Sequence, residues 1–216
     1  MKTALIAGAT GLVGSSLVKM LADSDQYNTI HVVARRPVES ASEKIIMHIA
    51  TQGTINQLVI NEKIDHAFCA LGTTIKKAKT KETFRKIDHD YVLDFAKKTF
   101  DFGAEKFLVV SSMGADTKSV FFYSRVKGEV EQALKQVQFK HLFIFRPSLL
   151  LGKRKEQRTG EEIAARLYRV LEPLFIGKLK KYKGIEAATV AKAMISVALH
   201  ETAAERIYES DEIRNF

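Results

Sequence analysis

The stretch Lys2-Thr3-Ala4-Leu5-Ile6-Ala7 runs directly into Gly8-Ala9-Thr10-Gly11-Leu12-Val13-Gly14, and this junction decides the fold. The first six residues are short and mostly apolar, which is typical of a buried strand. Apolar residues then recur at helical spacing over residues 12–21, which predicts a helix. A GxxGxxG turn between strand and helix allows a close backbone approach to an anion at the helix N-terminus. It therefore predicts a dinucleotide pyrophosphate site, which we expect to involve Gly8, Thr10, Gly11, Leu12, Val13 and Gly14.

Strands and helices alternate along the rest of the chain. Apolar and β-branched runs predict further strands at 30–34, 45–49, 65–71, 106–110, 142–145 and 206–209. Helical periodicity predicts helices at 81–100, 123–137, 161–171 and 189–200. This order predicts an α/β fold with a doubly wound parallel sheet, a Rossmann fold of three αβα layers. We expect a single domain over residues 1–216, in which residues from about 148 onward cover the substrate side.

The composition is ordinary for a globular protein, with 46% hydrophobic and 27% charged residues, and the net charge is +9. The basic residues are spread along the chain and are not interleaved with stacking aromatics, so no nucleic-acid partner is expected. They are interpreted as solvated surface or as attraction for an anionic ligand. No apolar run is long enough to predict a membrane span. The single cysteine, Cys69, excludes an internal disulfide, and these features together predict a cytoplasmic protein.

The second predicted strand is followed by Arg35 and Arg36. They lie about 20 residues past the glycine turn, where NAD-binding proteins carry an acidic residue for the ribose 2′-hydroxyl. Guanidinium groups instead suit a 2′-phosphate, because they offer paired donors. The pair therefore predicts NADP(H) as the cofactor, the alternative being a basic pair on the surface.

Tyr123 and Lys127 form a YxxxK pair on a predicted helix. Residues four apart on a helix are neighbours, about 5–6 Å apart at Cβ, and an ammonium beside a phenol stabilises the phenolate. Tyr123 is therefore a candidate proton donor. Ser111 and Ser112 end the preceding strand, at the sheet edge where ligands bind, and a hydroxyl there can orient a carbonyl oxygen. The six histidines lack metal-ligand spacing, so no metal site is predicted.

These motifs together resemble the short-chain dehydrogenase/reductase superfamily. More narrowly, the chain resembles an atypical group within it, the HIV Tat-interactive-protein type of oxidoreductase and its bacterial relatives. The stretches that carry the resemblance cover most of the chain, and they are 8–14, 35–36, 69–74, 88–93, 110–116, 123–130, 145–147 and 154–161.

The resemblance implies a role for each matching residue. Tyr123 would be the general acid/base, Lys127 would hold the nicotinamide ribose and tune Tyr123, and Ser112 would polarise the substrate, with Ser111 as the alternative. The remaining cofactor contacts that it implies are Leu71, Gly72, Leu150 and Arg158.

Two positions depart from the superfamily pattern. Asp88 stands near the place of an asparagine that often supports the proton relay, and residues 49–51 lack the acidic residue that often contacts adenine. The first departure puts the relay in doubt.

We expect an NADPH-dependent oxidoreductase that reduces a carbonyl or conjugated small-molecule substrate. The alternative is an NADP(H)-binding redox sensor that regulates a protein partner without turnover. A nucleotide-sugar epimerase would use the same fold, but the chain is short for the substrate domain that such enzymes carry. The oligomeric state stays open, a homodimer included.

Overall fold

The computed structural model describes residues 1–38, 41–152 and 182–216. Seven parallel strands form the main sheet in the order β3-β2-β1-β4-β5-β6-β9, and β7 and β8 pair separately. The strands are β1 (Lys2–Ala7), β2 (Tyr27–Ala34), β3 (Ile45–Ile49), β4 (His66–Cys69), β5 (Lys106–Val110), β6 (His141–Arg146), β7 (Leu150–Leu151), β8 (Ile185–Glu186) and β9 (Glu205–Glu209).

Helices connect β1 to β2, β4 to β5, β5 to β6 and β6 to β9, as is usual for crossover connections between parallel strands. They are α1 (Leu12–Ala22), α2 (Ile75–Ala78), α3 (Lys81–Arg85), α4 (Tyr91–Asp101), α5 (Phe122–Lys135), α6 (Ala187–His200) and α7 (Ser210–Ile213). A 3₁₀ turn spans Ile55–Gln57 and a π-helical turn spans Lys86–Asp90.

The sheet has a hydrophobic core on each face because side chains alternate along every strand. On one face, Ala4 and Ile6 of β1 pack with residues of α1 and α6. On the other, Leu5 and Ala7 pack with residues of α4 and α5. The predicted three-layer αβα architecture is therefore confirmed.

Most predicted elements occur within a few residues of their expected bounds, including β1, β3 and β5. The predicted helix over 81–100 is instead divided into α3, the π-helical turn and α4. Hydrophobic periodicity cannot show this, because it reports which face is buried and not which carbonyl each N–H contacts. The fourth strand ends at Cys69, earlier than predicted, and the helix predicted over 161–171 lies outside the described residues.

The strand order reverses between β1 and β4, and the glycine turn lies at this point. Gly8 has φ +88°, and a Cβ there would lie 2.4 Å from the carbonyl carbon of Ala70, just after β4. The N–H of Ala70 donates to the carbonyl of Ala7 at 2.9 Å. The two loops therefore touch through their backbones, at the position where open α/β sheets bind ligands.

Gly14 has a matching steric constraint, because a Cβ at this position would lie 2.1 Å from the Gly8 carbonyl oxygen. We expect Gly14→Ala to lower the free energy of unfolding by about 3 kcal/mol, since backbone must move to admit the methyl group. Urea denaturation measures this loss. Gly53→Ala is the matched control, because its Cβ would meet only Thr51 at 3.9 Å, and it should change stability by less than about 1 kcal/mol. Equal stability of Gly14→Ala and wild type would contradict the steric argument.

Candidate functional site

The N-terminus of α1 presents a cradle that suits an anion. Gly11 is the N-cap residue and has no side chain to cap α1. The N–H groups in the first turn of this helix therefore remain open to a ligand. The Gly11 N–H donates to the Gly8 carbonyl at 2.9 Å, which holds the turn in shape. A Cβ at Gly11 would stand 3.2 Å from that carbonyl oxygen and narrow the approach. The turn therefore has the form needed to accept a pyrophosphate.

The other residues of the turn differ in exposure. Thr10 is exposed, Leu12 is half-buried and Val13 is buried in the core on the α1 face, so Val13 offers the site only its backbone. Leu150 is half-buried on β7, and a Cβ at the nearby Gly152 would lie 3.2 Å from the Leu12 side chain. The segment at β7 therefore lies beside the start of α1.

Arg35 and Arg36 follow β2, the neighbour of β1, and both are exposed. They lie at the same carboxyl edge of the sheet as the glycine turn. Arg158 falls outside the described residues, so its predicted role stays a prediction.

Lys127 is buried within α5 and pairs with a carboxylate from a different element. Its Nζ lies 2.7 Å from Oδ1 of Asp88, and the two side chains are only 5% and 1% exposed. Burial lowers the pKa of Lys127, but Asp88 and the nearby Tyr123 raise it, and the net pKa lies above its ordinary value. Lys127 is therefore a charged lysine inside the protein, one helical turn from Tyr123.

Asp88 also holds the loop that follows β4. Its Oδ2 accepts the backbone N–H of Thr73 at 2.8 Å, and a Cβ at Gly72 would lie 3.4 Å from its Oδ1 and 3.8 Å from Lys127 Nζ. Leu71, half-buried, packs with the core on the α4 and α5 face. The two loop residues predicted to contact the cofactor thus lie next to the Asp88–Lys127 pair.

The two serines at the end of β5 have different surroundings. The Ser111 hydroxyl is buried and donates to Glu131 of α5, which also forms a two-point ion pair with Arg146 at 3.1 and 2.6 Å. The Ser112 hydroxyl is half-buried and donates to the carbonyl of Met113 at 3.1 Å. Ser111 is therefore engaged in a structural network, which favours Ser112 as the serine that could meet a substrate.

The loop after β5 is held against α5, which brings Ser112 and Tyr123 to the same edge. The N–H of Asp116 donates to the carbonyl of Ser124 at 3.1 Å. A Cβ at Gly128 would lie 2.4 Å from the backbone of Asp116, so only glycine allows this approach.

Sequence reasoning missed two residues that shape this site. Gly128 follows Lys127 directly and is not among the predicted site residues, although a glycine inside a helix signals a close contact. Asp88 was noticed only as a departure from the superfamily pattern. A signal for it existed, because Asp88 is spaced four residues from both Phe84 and Val92 on the buried helix face, where an unpaired carboxylate would be costly.

The three aromatic residues before and within the start of α5 have separate roles. Phe121 is 73% exposed, while the rings of Phe122 and Tyr123 pack against Phe84 at centroid distances of 5.7 and 5.4 Å. Phe121 is therefore open to solvent, whereas Phe122 and Tyr123 pack with the buried Phe84.

Cys69 and the histidines show no sign of chemistry. Burial raises the pKa of the Cys69 thiol to about 12, as expected for an inert core thiol. His66 is buried against the Tyr27 hydroxyl at 2.8 Å, and burial, with Lys106 and Lys2 nearby, lowers its pKa to about 4. Across the described parts of the chain, no three potential ligands gather as a metal site. Within the same residues, no helix has the length and apolar character needed to cross a bilayer.

The fold is that of the short-chain dehydrogenase/reductase and epimerase class of Rossmann proteins. A UDP-glucose 4-epimerase from Thermotoga maritima superposes with a TM-score of 0.70 at 14% identity, over 99% of this chain and 80% of that one. A short-chain dehydrogenase family protein from Francisella tularensis gives 0.66 at 14% identity, over 98% of both chains. At such identity the likeness establishes the fold alone.

Sequence similarity identifies the family within this class. The chain belongs to the HIM1 family, whose model matches residues 36–180. It is 39% identical to the mitochondrial protein FMP52 of Debaryomyces hansenii, over 74% of this chain and 73% of the relative. It is 32% identical to protein HTATIP2 of Rattus norvegicus, over 90% of this chain and 80% of the relative. The resemblance to atypical short-chain dehydrogenases/reductases of the HTATIP2 type is therefore confirmed.

The predicted cytoplasmic location is wrong. FMP52 proteins from four fungi, 28–39% identical to this chain over most of its length, are named as mitochondrial, which contradicts the prediction. The prediction failed because a low cysteine count excludes a disulfide-rich secreted protein but does not distinguish among compartments where thiols stay reduced.

The buried pair of Glu131 and Arg146 should be important for stability at this edge of the sheet. We expect Glu131→Ala to reduce the free energy of unfolding by about 2 kcal/mol, because it removes two hydrogen bonds of the half-buried Arg146, which keeps its contact with Glu209, and the acceptor of the buried Ser111 hydroxyl. Chemical denaturation gives this value. Glu129→Ala, on the same helix, removes a partner of Arg85 from a more exposed pair and should cost less than about 1 kcal/mol. Similar losses in the two variants would contradict the assigned importance of burial.

Proposed function

We propose that the protein is an NADPH-dependent oxidoreductase that reduces a carbonyl or conjugated small-molecule substrate. The observation that carries the proposal is the charged, buried Lys127 one helical turn from Tyr123, at the sheet edge that also bears the glycine turn. A structural lysine gains little from a position inside the protein, because burying an ammonium opposes stability. A catalytic lysine that must hold and tune another group needs such a position.

The bound nicotinamide would supply a hydride to the electrophilic carbon of the substrate. Tyr123 would donate its phenolic proton to the substrate oxygen, and Ser112 would donate a hydrogen bond to the same oxygen and orient it. Lys127 would hold the cofactor ribose and stabilise the phenolate that Tyr123 leaves behind. The products of carbonyl reduction would be an alcohol and NADP⁺, which balances the hydride and the proton.

Several features support a cofactor at the glycine turn. The open N-terminus of α1 suits the pyrophosphate, and the lack of side chains at Gly8 and Gly14 allows the close backbone contacts that hold the turn in shape. Arg35 and Arg36, exposed after β2, would bind a 2′-phosphate and favour NADP(H) over NAD(H). Neighbours in the same fold class, such as MoeE5, were determined with NAD, which agrees with a nicotinamide dinucleotide and leaves the 2′-phosphate to be tested.

Replacing Tyr123 by phenylalanine tests the proposed chemistry. We expect Tyr123→Phe to lower kcat for NADPH oxidation at least about 100-fold, because it removes the proton donor. The assay follows absorbance at 340 nm with a panel of aldehydes, ketones and quinones. Cofactor affinity, measured by NADPH fluorescence, should change little. Full turnover in Tyr123→Phe would refute the mechanism, and NADPH binding without turnover on any substrate would favour the redox-sensor role instead.

The arginine pair is tested by cofactor titration. We expect the double change Arg35→Ser and Arg36→Ser to weaken NADPH binding about 10–100-fold and to leave NADH binding nearly unchanged, because only NADPH carries the 2′-phosphate. Isothermal titration with both cofactors measures the ratio. The control double change Lys97→Ser and Lys98→Ser removes the same charge from α4 and should leave both affinities intact. Equal wild-type affinity for NADPH and NADH would rule out the assigned role.

A further inference from the structure

We propose that Asp88 is the internal counter-ion that keeps Lys127 charged, and that it joins this charge to the loop after β4. This makes Asp88 a positioning residue for the reaction, and in that respect the inference rests on the proposed function. The superfamily pattern that the chain resembles places an asparagine near this position, so the structure assigns a distinct task to the carboxylate found here.

The two oxygens of Asp88 have different partners, an ion pair at Oδ1 and a hydrogen bond at Oδ2. Oδ1 lies 2.7 Å from Lys127 Nζ and Oδ2 accepts the Thr73 N–H at 2.8 Å. Asparagine could still accept the hydrogen bond from Thr73, but it carries no charge to offer Lys127. The ion pair therefore explains why a carboxylate, and not an amide, occupies this position.

The surroundings of Lys127 make a counter-ion necessary. Its side chain is 5% exposed, and burial alone favours the neutral amine. The groups that face it electrostatically are Asp88 from the π-helical turn, Tyr123 from its own helix and Cys69 from β4. Asp88 is the carboxylate of this set, and at 2.7 Å it is the group in direct ion-pair contact with the Lys127 ammonium.

Asp88 sits where it can act on two parts of the site together. It belongs to the π-helical turn Lys86–Asp90, and such turns occur often at functional sites. It is 0% exposed, so its carboxylate depends on Lys127 as much as Lys127 depends on it. Through Thr73, the pair also fixes the loop that carries Leu71 and Gly72. Loss of the Asp88 charge would therefore act on Lys127 directly and on the loop only indirectly.

Asp88→Asn tests the inference because it keeps the shape of the side chain and can keep the Thr73 contact through its one oxygen, while it replaces the charged oxygen that faces Lys127 by an uncharged NH2 group. In wild type the pKa of Lys127 is raised, so the lysine keeps its proton throughout the neutral and mildly alkaline range. Without the counter-ion, burial is no longer offset, and Lys127 should lose its proton at lower pH. We expect the alkaline limb of the pH profile for NADPH-dependent turnover to move down by about 1–2 pH units. Asp88→Glu, which restores the charge, should recover much of the wild-type profile.

A second measurement does not require turnover. In protein labelled with ¹³C at lysine Cε, the Lys127 resonance is assigned by its loss in Lys127→Arg, and its chemical shift reports protonation. We expect it to remain in the protonated position throughout the neutral and mildly alkaline range in wild type and to titrate about 1–2 pH units lower in Asp88→Asn. Asp90→Asn, in the same turn but paired with His89, is the matched control and should leave the titration unchanged.

The outcomes separate this inference from the proposed function. A shifted Lys127 titration without turnover on any substrate supports the counter-ion role and removes the reductase. Turnover with identical Lys127 titrations in wild type and Asp88→Asn overturns the counter-ion role and retains the reductase. If Asp88→Asn does not fold, the wild-type titration decides, because deprotonation of Lys127 below about pH 9 would itself overturn the inference.

Discussion

The close backbone contact between the turn after β1 and the loop after β4 is the constraint on which the remaining architecture depends. Gly8 packs against Ala70, and Gly14 packs against Gly8, so closely that a Cβ at either glycine would clash with the backbone. Because the sheet order reverses at this point, the contact joins the two halves of the fold. It also leaves the N-terminus of α1 open at the sheet edge. The same close contact thus holds the two halves of the sheet together and leaves the start of α1 accessible.

The second half of the site is organised by charge. Asp88 and Lys127 come from two different elements and meet inside the protein, where neither would be stable alone. Their pairing holds the loop after β4 next to α5, and a separate network of Ser111, Glu131 and Arg146 holds the end of β5. The two adjacent serines therefore have different surroundings. Ser111 supports the structure, and Ser112 remains half-buried at the edge.

The HIM1 family and its HTATIP2 and FMP52 relatives place this chain among atypical short-chain dehydrogenases/reductases. The structural neighbours include sugar-nucleotide epimerases as well as dehydrogenases, so the fold alone does not choose a reaction. The choice rests on the few side chains at the sheet edge. An ion-paired lysine there distinguishes this site from one built around an asparagine.

The sequence by itself determined the order of strands and helices, the glycine turn and the YxxxK pair, because each depends on local spacing. The sequence also predicted NADP(H) from the arginines that follow β2, and it predicted a helix over the segment that contains Asp88. Only the tertiary structure decided which groups meet, since Asp88 and Lys127 are 39 positions apart and Ser111 meets Glu131 only when β5 packs beside α5. The π-helical turn was likewise invisible to periodicity. Burial decides which charged groups must pair, because a buried charge requires a partner and only the folded chain shows which residue provides it.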